Sequence, residues 1–116
     1  MVTDQPTLNA LFEIITARRG ADPEASYTAR LLADGRTQIV RKFGEESVEL
    51  SVAALAEGKD QVVAESADLL YHLLVLWAEQ GIHPDDVWRE LESRFGTSGI
   101  DEKRSRDPKE QGSEQE

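Results

Sequence analysis

Apolar residues recur every three or four positions along most of the chain, and no segment alternates apolar and polar residues as a strand does. This pattern predicts an all-α fold. Residues that cap or break helices set the expected boundaries. A first helix is capped by Thr7 and ends before Gly20, a short one over 27–33 is capped by Ser26, and longer helices follow at 37–57, at 60–80 with Asp60 as the cap, and at 83–95.

The third and fourth helices are predicted to form an antiparallel hairpin, because the turn around Gly58 is too short for another arrangement. The fourth helix is apolar over most of its circumference, and we expect it at the centre of the fold. The shorter helices supply little volume around it. We therefore expect a helical bundle that is built on this hairpin and completed by a second copy of the chain.

An acidic residue interrupts the apolar face of the third helix. At about 100° of rotation per residue, this face comprises Ile39, Phe43, Leu50 and Ala53. Glu46 falls in the middle of it, while Lys42, Glu45 and Glu49 lie along its edge. Burying an unpaired carboxylate is costly, so Glu46 needs a positively charged partner.

The fourth helix carries a similar irregularity. One narrow stripe on an otherwise apolar helix contains Glu65, Asp68, His72 and Glu79. The acidic stripes of the two helices can face each other across the hairpin. We interpret His72 as a hydrogen-bonded buried histidine and not as a base.

Two acid pairs, Glu46 with Glu49 and Glu65 with Asp68, each span one helical turn and so lie on one face. Converging carboxylates repel one another unless a cation joins them, and Lys42 alone cannot balance them. An all-oxygen ligand set selects Mg²⁺ or Mn²⁺ over softer metals. Di-iron chemistry is disfavoured, since Asp68 stands where a di-iron helix carries histidine. The alternative without a metal is that these acids form ordinary solvated faces.

Composition narrows the classes of function. Among 116 residues, 13 are Lys or Arg and 23 are Asp or Glu, and the net charge of −10 argues against nucleic-acid binding. The absence of cysteine excludes thiolate chemistry and Cys-based metal sites. No secretory signal is evident, and the longest apolar run, 69–78, is about half a bilayer span. We expect a cytoplasmic protein without a membrane partner, with one domain over 7–96 and a disordered tail over 97–116.

Three strings carry a family resemblance: S-Y-T-A-R-L-L from Ser26, K-F-G-E-E-S-V-E from Lys42 and E-S-A-D-L-L-Y-H-L-L-V from Glu65. They resemble the phosphoribosyl-ATP pyrophosphohydrolases of histidine biosynthesis, within the MazG-like all-α nucleotide pyrophosphohydrolases, whose shared signature is E-E-x-x-E followed by E-x-x-D. The resemblance spans about residues 8–95. It implies a dimeric enzyme that uses Mg²⁺ to hydrolyse 1-(5-phosphoribosyl)-ATP to 1-(5-phosphoribosyl)-AMP and pyrophosphate.

The resemblance also implies site residues by position. The metal ligands would be Glu46, Glu49, Glu65 and Asp68. Glu45 and Glu46 are the catalytic candidates, with Glu45 either a further ligand or the group that orients the attacking water.

Four more residues are candidates for substrate binding. Tyr27, Thr28 and Arg30 stand at a helix start, where backbone N–H groups favour phosphate. The other interpretation is that they only support the helix cap. Lys42 either contacts a phosphate or only pairs with the neighbouring acids.

Two other functions remain open from the sequence. A housecleaning pyrophosphatase for non-canonical nucleoside triphosphates would share the carboxylates but lack the string over 26–32. A non-catalytic acidic helical adaptor would bind a partner protein and no metal.

Overall fold

The computed structural model describes residues 6–95. Within this range the chain forms five α-helices and no strand, which confirms the all-α prediction. They are α1 (Pro6–Ala17), α2 (Tyr27–Asp34), α3 (Arg36–Ala56), α4 (Lys59–Gln80) and α5 (Pro84–Arg94). Among them, no helix combines the length and hydropathy needed to cross a lipid bilayer. Completion of the bundle by a second chain stays a prediction.

Two of the predicted helix caps are wrong. α1 already begins at Pro6, so Thr7 lies within the helix; proline suits the first turn because its missing N–H would have no helical partner there. α4 is capped by Gly58 in an extended conformation, and Asp60 lies in its first turn. There its carboxylate still favours the positive end of the helix.

Two other predicted helix ends are confirmed. The Ser26 side chain accepts a hydrogen bond from the Ala29 amide at 3.1 Å and caps α2. Gly81 ends α4 with φ +75°, in the left-handed conformation that glycine adopts without strain. Its N–H donates to the Ala78 carbonyl at 3.2 Å.

The chain divides into two compact units between Pro84 and Asp85. Helices α1 to α4 lie in the first unit. In the second, Arg94 pairs with Glu90 at 3.0 Å along α5. The domain boundaries 7–96 therefore stay a prediction, and the predicted disordered tail 97–116 lies outside the described residues.

α4 is the central helix of the first unit, as its broad apolar surface predicted, since it contacts α1, α2 and α3. The core that it anchors comprises Phe12, Ile15, Leu31, Ile39, Leu74, Val75 and Ala78. On the predicted face of α3, Ile39 and Ala53 are fully buried, while Phe43 and Leu50 are partly buried. Burial of each large aliphatic side chain stabilises the fold by about 1.5–3 kcal/mol, so this packing fixes the rotation of α3 against α4.

A single residue, Gly35, joins α2 to α3. It ends one helix and begins the next at φ +99°, where an L side chain would be strained. Its N–H donates to the Leu31 carbonyl at 3.2 Å, and its own carbonyl accepts from the Ile39 N–H at 3.1 Å. The start of α2 is thereby held in a defined position relative to α3.

Candidate metal and substrate site

Three carboxylates from α3 and α4 converge on one side of the hairpin. Glu46, Glu49 and Glu65 each offer an oxygen, and these oxygens lie within 4.8 Å of one another. We call this group the acid cluster. Glu46 and Glu49 share a face of α3 because they are one turn apart, and antiparallel packing brings Glu65 of α4 opposite them.

Two oxygens of the acid cluster are buried and have no hydrogen-bond partner among residues 6–95. They are Oε1 of Glu46 and Oε1 of Glu65. The second oxygen of Glu65 accepts from the Gln61 side chain at 3.3 Å. A buried carboxylate oxygen without a partner is costly, and a hard divalent cation relieves that cost because it binds oxygen ligands. The donor set of the acid cluster therefore fits Mg²⁺ or Mn²⁺.

The charges of the acid cluster perturb one of its members. The pKa of Glu49 is raised above its ordinary value of 4.5, mainly by the negative charge of Glu46, with further contributions from desolvation, from Glu65 and from Asp68. Asp68 is exposed and lies outside the acid cluster itself. It lies close enough to Glu49 for its charge to raise the pKa of that carboxyl. The four predicted metal ligands thus lie on one side of the hairpin, three of them in mutual contact range.

Glu45 has a different environment from the other acids of its helix. Its carboxylate pairs with the Lys42 ammonium at 3.3 Å and lies 4.0 Å from the Arg41 guanidinium. The hydrogen bond that Lys42 donates to Glu45 is the largest cause of the raised pKa of Lys42, followed by the nearby Tyr27 phenol. Lys42 therefore pairs with an acid in this structure, and Glu45 is directed toward cations and not toward the acid cluster.

The predicted substrate-binding residues of α2 differ in their surroundings. The Tyr27 hydroxyl lies 3.3 Å from Nε2 of His72, and the Thr28 hydroxyl hydrogen-bonds the Tyr71 hydroxyl. Both contacts join α2 to α4. Arg30 is exposed on α2 and enters neither these contacts nor the acid cluster.

One residue of the predicted acidic stripe on α4 lies elsewhere. Glu79 accepts a hydrogen bond from Arg36 at 2.8 Å, so its charge is balanced at the far end of the helix from Glu65. The sequence reasoning missed the contact of Tyr71 with α2. The sequence signal that could have indicated this contact is the position of Tyr71 three residues after Asp68, which places both on the same side of α4.

Known proteins resemble this chain over nearly all of its described residues. Residues 8–95 match the family described as phosphoribosyl-ATP pyrophosphohydrolase. The phosphoribosyl-ATP pyrophosphatase of Paramagnetospirillum magneticum is 60% identical over 106 residues, which cover 91% of this chain and 97% of the relative. That of Rhodospirillum rubrum is 63% identical over 99 residues, or 85% of each chain, and that of Gluconobacter oxydans is 50% identical over 103 residues, or 89% of this chain and 77% of the relative. The resemblance indicated by the three strings is thus confirmed, and the chain belongs to the phosphoribosyl-ATP pyrophosphohydrolase family.

Proposed function

We propose that this chain hydrolyses 1-(5-phosphoribosyl)-ATP to 1-(5-phosphoribosyl)-AMP and pyrophosphate, a step of histidine biosynthesis. The names of its family and relatives support the substrate and the release of pyrophosphate. The reaction breaks one phosphoric anhydride bond with water. It needs neutralisation of the phosphate charge and a correctly placed water molecule. In this proposal the reaction takes place in the cytoplasm.

The metal part of the proposal assigns Mg²⁺, with Mn²⁺ as a substitute, to Glu46, Glu49, Glu65 and Asp68. The observation that carries it is the pair of buried, unpartnered oxygens of Glu46 and Glu65. Hydrogen-bond donors in the part of the chain that the structure describes do not satisfy these oxygens, whereas a hard cation would. When bound, Mg²⁺ screens the phosphate chain and favours ionisation of the attacking water.

The remaining roles follow from the charge around each side chain. Glu45 pairs with Lys42 and lies near Arg41, outside the acid cluster, and we assign to it the orientation of the attacking water. Lys42 is assigned to a phosphate of the substrate, which would compete with Glu45 for the ammonium. Tyr27, Thr28 and Arg30 are assigned to the rest of the substrate, since α2 is fixed against both α3 and α4.

We further propose that the enzyme is a homodimer that forms through the hairpin. Large apolar side chains of α3 and α4 are exposed to water in the single chain: Val48, Val52, Leu55, Val63 and Leu70. Leu55 is the extreme case, with 88% of its surface exposed. Sedimentation equilibrium measures the mass in solution, and a monomer at micromolar concentration would contradict this part of the proposal.

The substrate is tested by pyrophosphate release from phosphoribosyl-ATP, dUTP and dCTP, each with Mg²⁺ and with EDTA. We expect release that depends on Mg²⁺ and strongly favours phosphoribosyl-ATP. Turnover of dUTP or dCTP alone would instead indicate a housecleaning pyrophosphatase. No metal-dependent release from any of the three would indicate the acidic adaptor.

The site assignment is tested with a matched pair of variants in the same assay. Glu46→Gln removes one charge from the acid cluster, and Glu13→Gln removes one from the exposed surface of α1. We expect Glu46→Gln to abolish release and Glu13→Gln to leave it unchanged. Equal activity of the two variants would contradict the metal assignment.

A further inference from the structure

His72 joins the acidic side of α4 to the start of α2. Its ring is buried, with 6% of the residue exposed. Nδ1 lies 2.8 Å from the backbone carbonyl of Asp68, and Nε2 lies 3.3 Å from the Tyr27 hydroxyl. Both ring nitrogens therefore have a partner, one in the segment that borders the acid cluster and one on the neighbouring helix.

The chemistry of these partners fixes the direction of both hydrogen bonds. A backbone carbonyl only accepts, so the Asp68 carbonyl requires the proton on Nδ1. In a neutral ring Nε2 then has no proton and accepts. The Tyr27 hydroxyl must donate to it, which leaves the phenol oxygen with lone pairs and no proton for the substrate.

Ring packing holds Tyr27 in the same orientation from another side. Its ring stacks on Tyr71 with centroids 6.3 Å apart at 27°, and the Tyr71 ring meets the edge of His72 at 4.9 Å and 87°. The Tyr71 hydroxyl is bonded in turn to Thr28. Tyr27 nevertheless keeps 46% of its surface exposed. A side chain that is half open to solvent is thus held in place by the buried His72 and the partly buried Tyr71.

We propose that His72 is a positioning residue of this enzyme: as the Nδ1–H tautomer, it takes the proton of the Tyr27 hydroxyl into a hydrogen bond and presents the phenol oxygen to the substrate as an acceptor. A ribose hydroxyl can donate a hydrogen bond to such an acceptor, whereas an ionised phosphate oxygen only accepts and cannot. The inference rests on the proposed function, since it assumes that Tyr27 contacts the substrate. It assigns His72 no contact with the reacting atoms.

A double-mutant cycle tests whether His72 acts through Tyr27. Tyr27→Phe removes the hydroxyl, and His72→Asn keeps a donor near the Asp68 carbonyl but removes the Nε2 acceptor. We expect each variant to raise KM about tenfold, as for loss of one hydrogen bond, with kcat changed less than about twofold. The double variant should show the same KM as either single one. Independent effects, which multiply to about a hundredfold, would overturn the proposal.

Two further variants separate positioning from packing. His72→Gln places an amide oxygen near the Nε2 position, and we expect it to restore KM to within about threefold of the original protein. His83→Asn makes the same kind of change at the other histidine of the chain, which packs against Phe12, and should leave KM unchanged. No rescue by His72→Gln would overturn the proposal. Thermal unfolding of every variant reports whether it folds.

Nitrogen-15 NMR of the unmodified protein tests the tautomer without any substitution. The nitrogen-15 chemical shifts of His72 should show a protonated Nδ1 and an unprotonated Nε2. The opposite tautomer would overturn the proposal. If the unmodified protein releases no pyrophosphate, the proposed function fails, whereas an active protein with multiplicative KM effects contradicts only the role of His72.

Discussion

Neutralising one carboxylate of the acid cluster should stabilise the metal-free protein while destroying its activity. Glu46→Gln is the appropriate change, because Glu46 is partly buried and has an unpartnered oxygen. Glutamine has nearly the same shape as glutamate, so the packing of α3 is retained. The variant removes the repulsion between Glu46 and the other two carboxylates of the acid cluster, which a bound cation would otherwise offset.

The size of the effect follows from the distance between the oxygens. Two unit charges 4.8 Å apart, the upper limit for Glu46 and Glu65, repel by about 0.9 kcal/mol in bulk water and by about 3.5 kcal/mol at an effective dielectric constant of about 20. A half-buried pair lies between these limits. We expect the free energy of unfolding of Glu46→Gln to be about 1–3 kcal/mol larger than that of the unmodified protein. This corresponds to a rise in Tm of at least about 4 °C for a domain of this size.

Differential scanning fluorimetry in EDTA measures this Tm, with Glu13→Gln as the control for the change in net charge. Addition of Mg²⁺ should then reverse the order of stability. At about one thousand times its Kd a single bound ion adds about 4.1 kcal/mol to the free energy of unfolding of the unmodified protein, which exceeds the expected effect of the substitution, and Glu46→Gln loses most of that gain. A Tm of Glu46→Gln in EDTA equal to or below that of the unmodified protein would refute the argument.

Three other changes test separate parts of the structure. Asp68→Asn should abolish Mg²⁺-dependent pyrophosphate release with an unchanged far-UV circular dichroism spectrum, and full activity would remove Asp68 from the ligands. The raised pKa of Glu49 means that the folded metal-free protein holds more protons than the unfolded chain just above pH 4.5, so stability falls as pH rises through that window; urea unfolding in EDTA should show a smaller fall for Glu49→Gln, and an equal fall would contradict the assigned cause. Gly44→Ala should stabilise α3 by about 0.5–1 kcal/mol, because a Cβ there meets no atom within 4 Å; a lower Tm would show that another molecule packs closely at this position.

The hairpin could be predicted because its signals are local. The short turn at Gly58 forces α3 and α4 to be antiparallel, and helical periodicity places Ile39 and Ala53 on the buried face. The same periodicity brings Glu46 and Glu65 to one side of the hairpin. Their role as ligands stays a prediction, because the donor set fits a metal without identifying one.

Contacts between residues distant in sequence could not be predicted. Glu79 shares its helical stripe with Glu65, but an arginine 43 residues earlier, Arg36, pairs with it. Tyr27 meets His72 only because of the way in which α2 packs on α4, and no local pattern carries that information. The predicted cap of α4, Asp60, lies two positions after the observed cap, Gly58. Periodicity alone does not define a helix end more precisely than one or two residues.

The single-residue connection at Gly35 has a mechanical consequence. A linker of one residue, with both of its backbone groups bonded into the adjoining helices, leaves no slack for α2 to swing as a lid over α3. Adjustment to the substrate must therefore come from side chains such as Lys42, which can exchange Glu45 for a phosphate, whereas Tyr27 is held by its contacts with His72 and Tyr71. The positions of α2 and α3 relative to each other are thus fixed, and recognition of the substrate is left to side-chain rotamers.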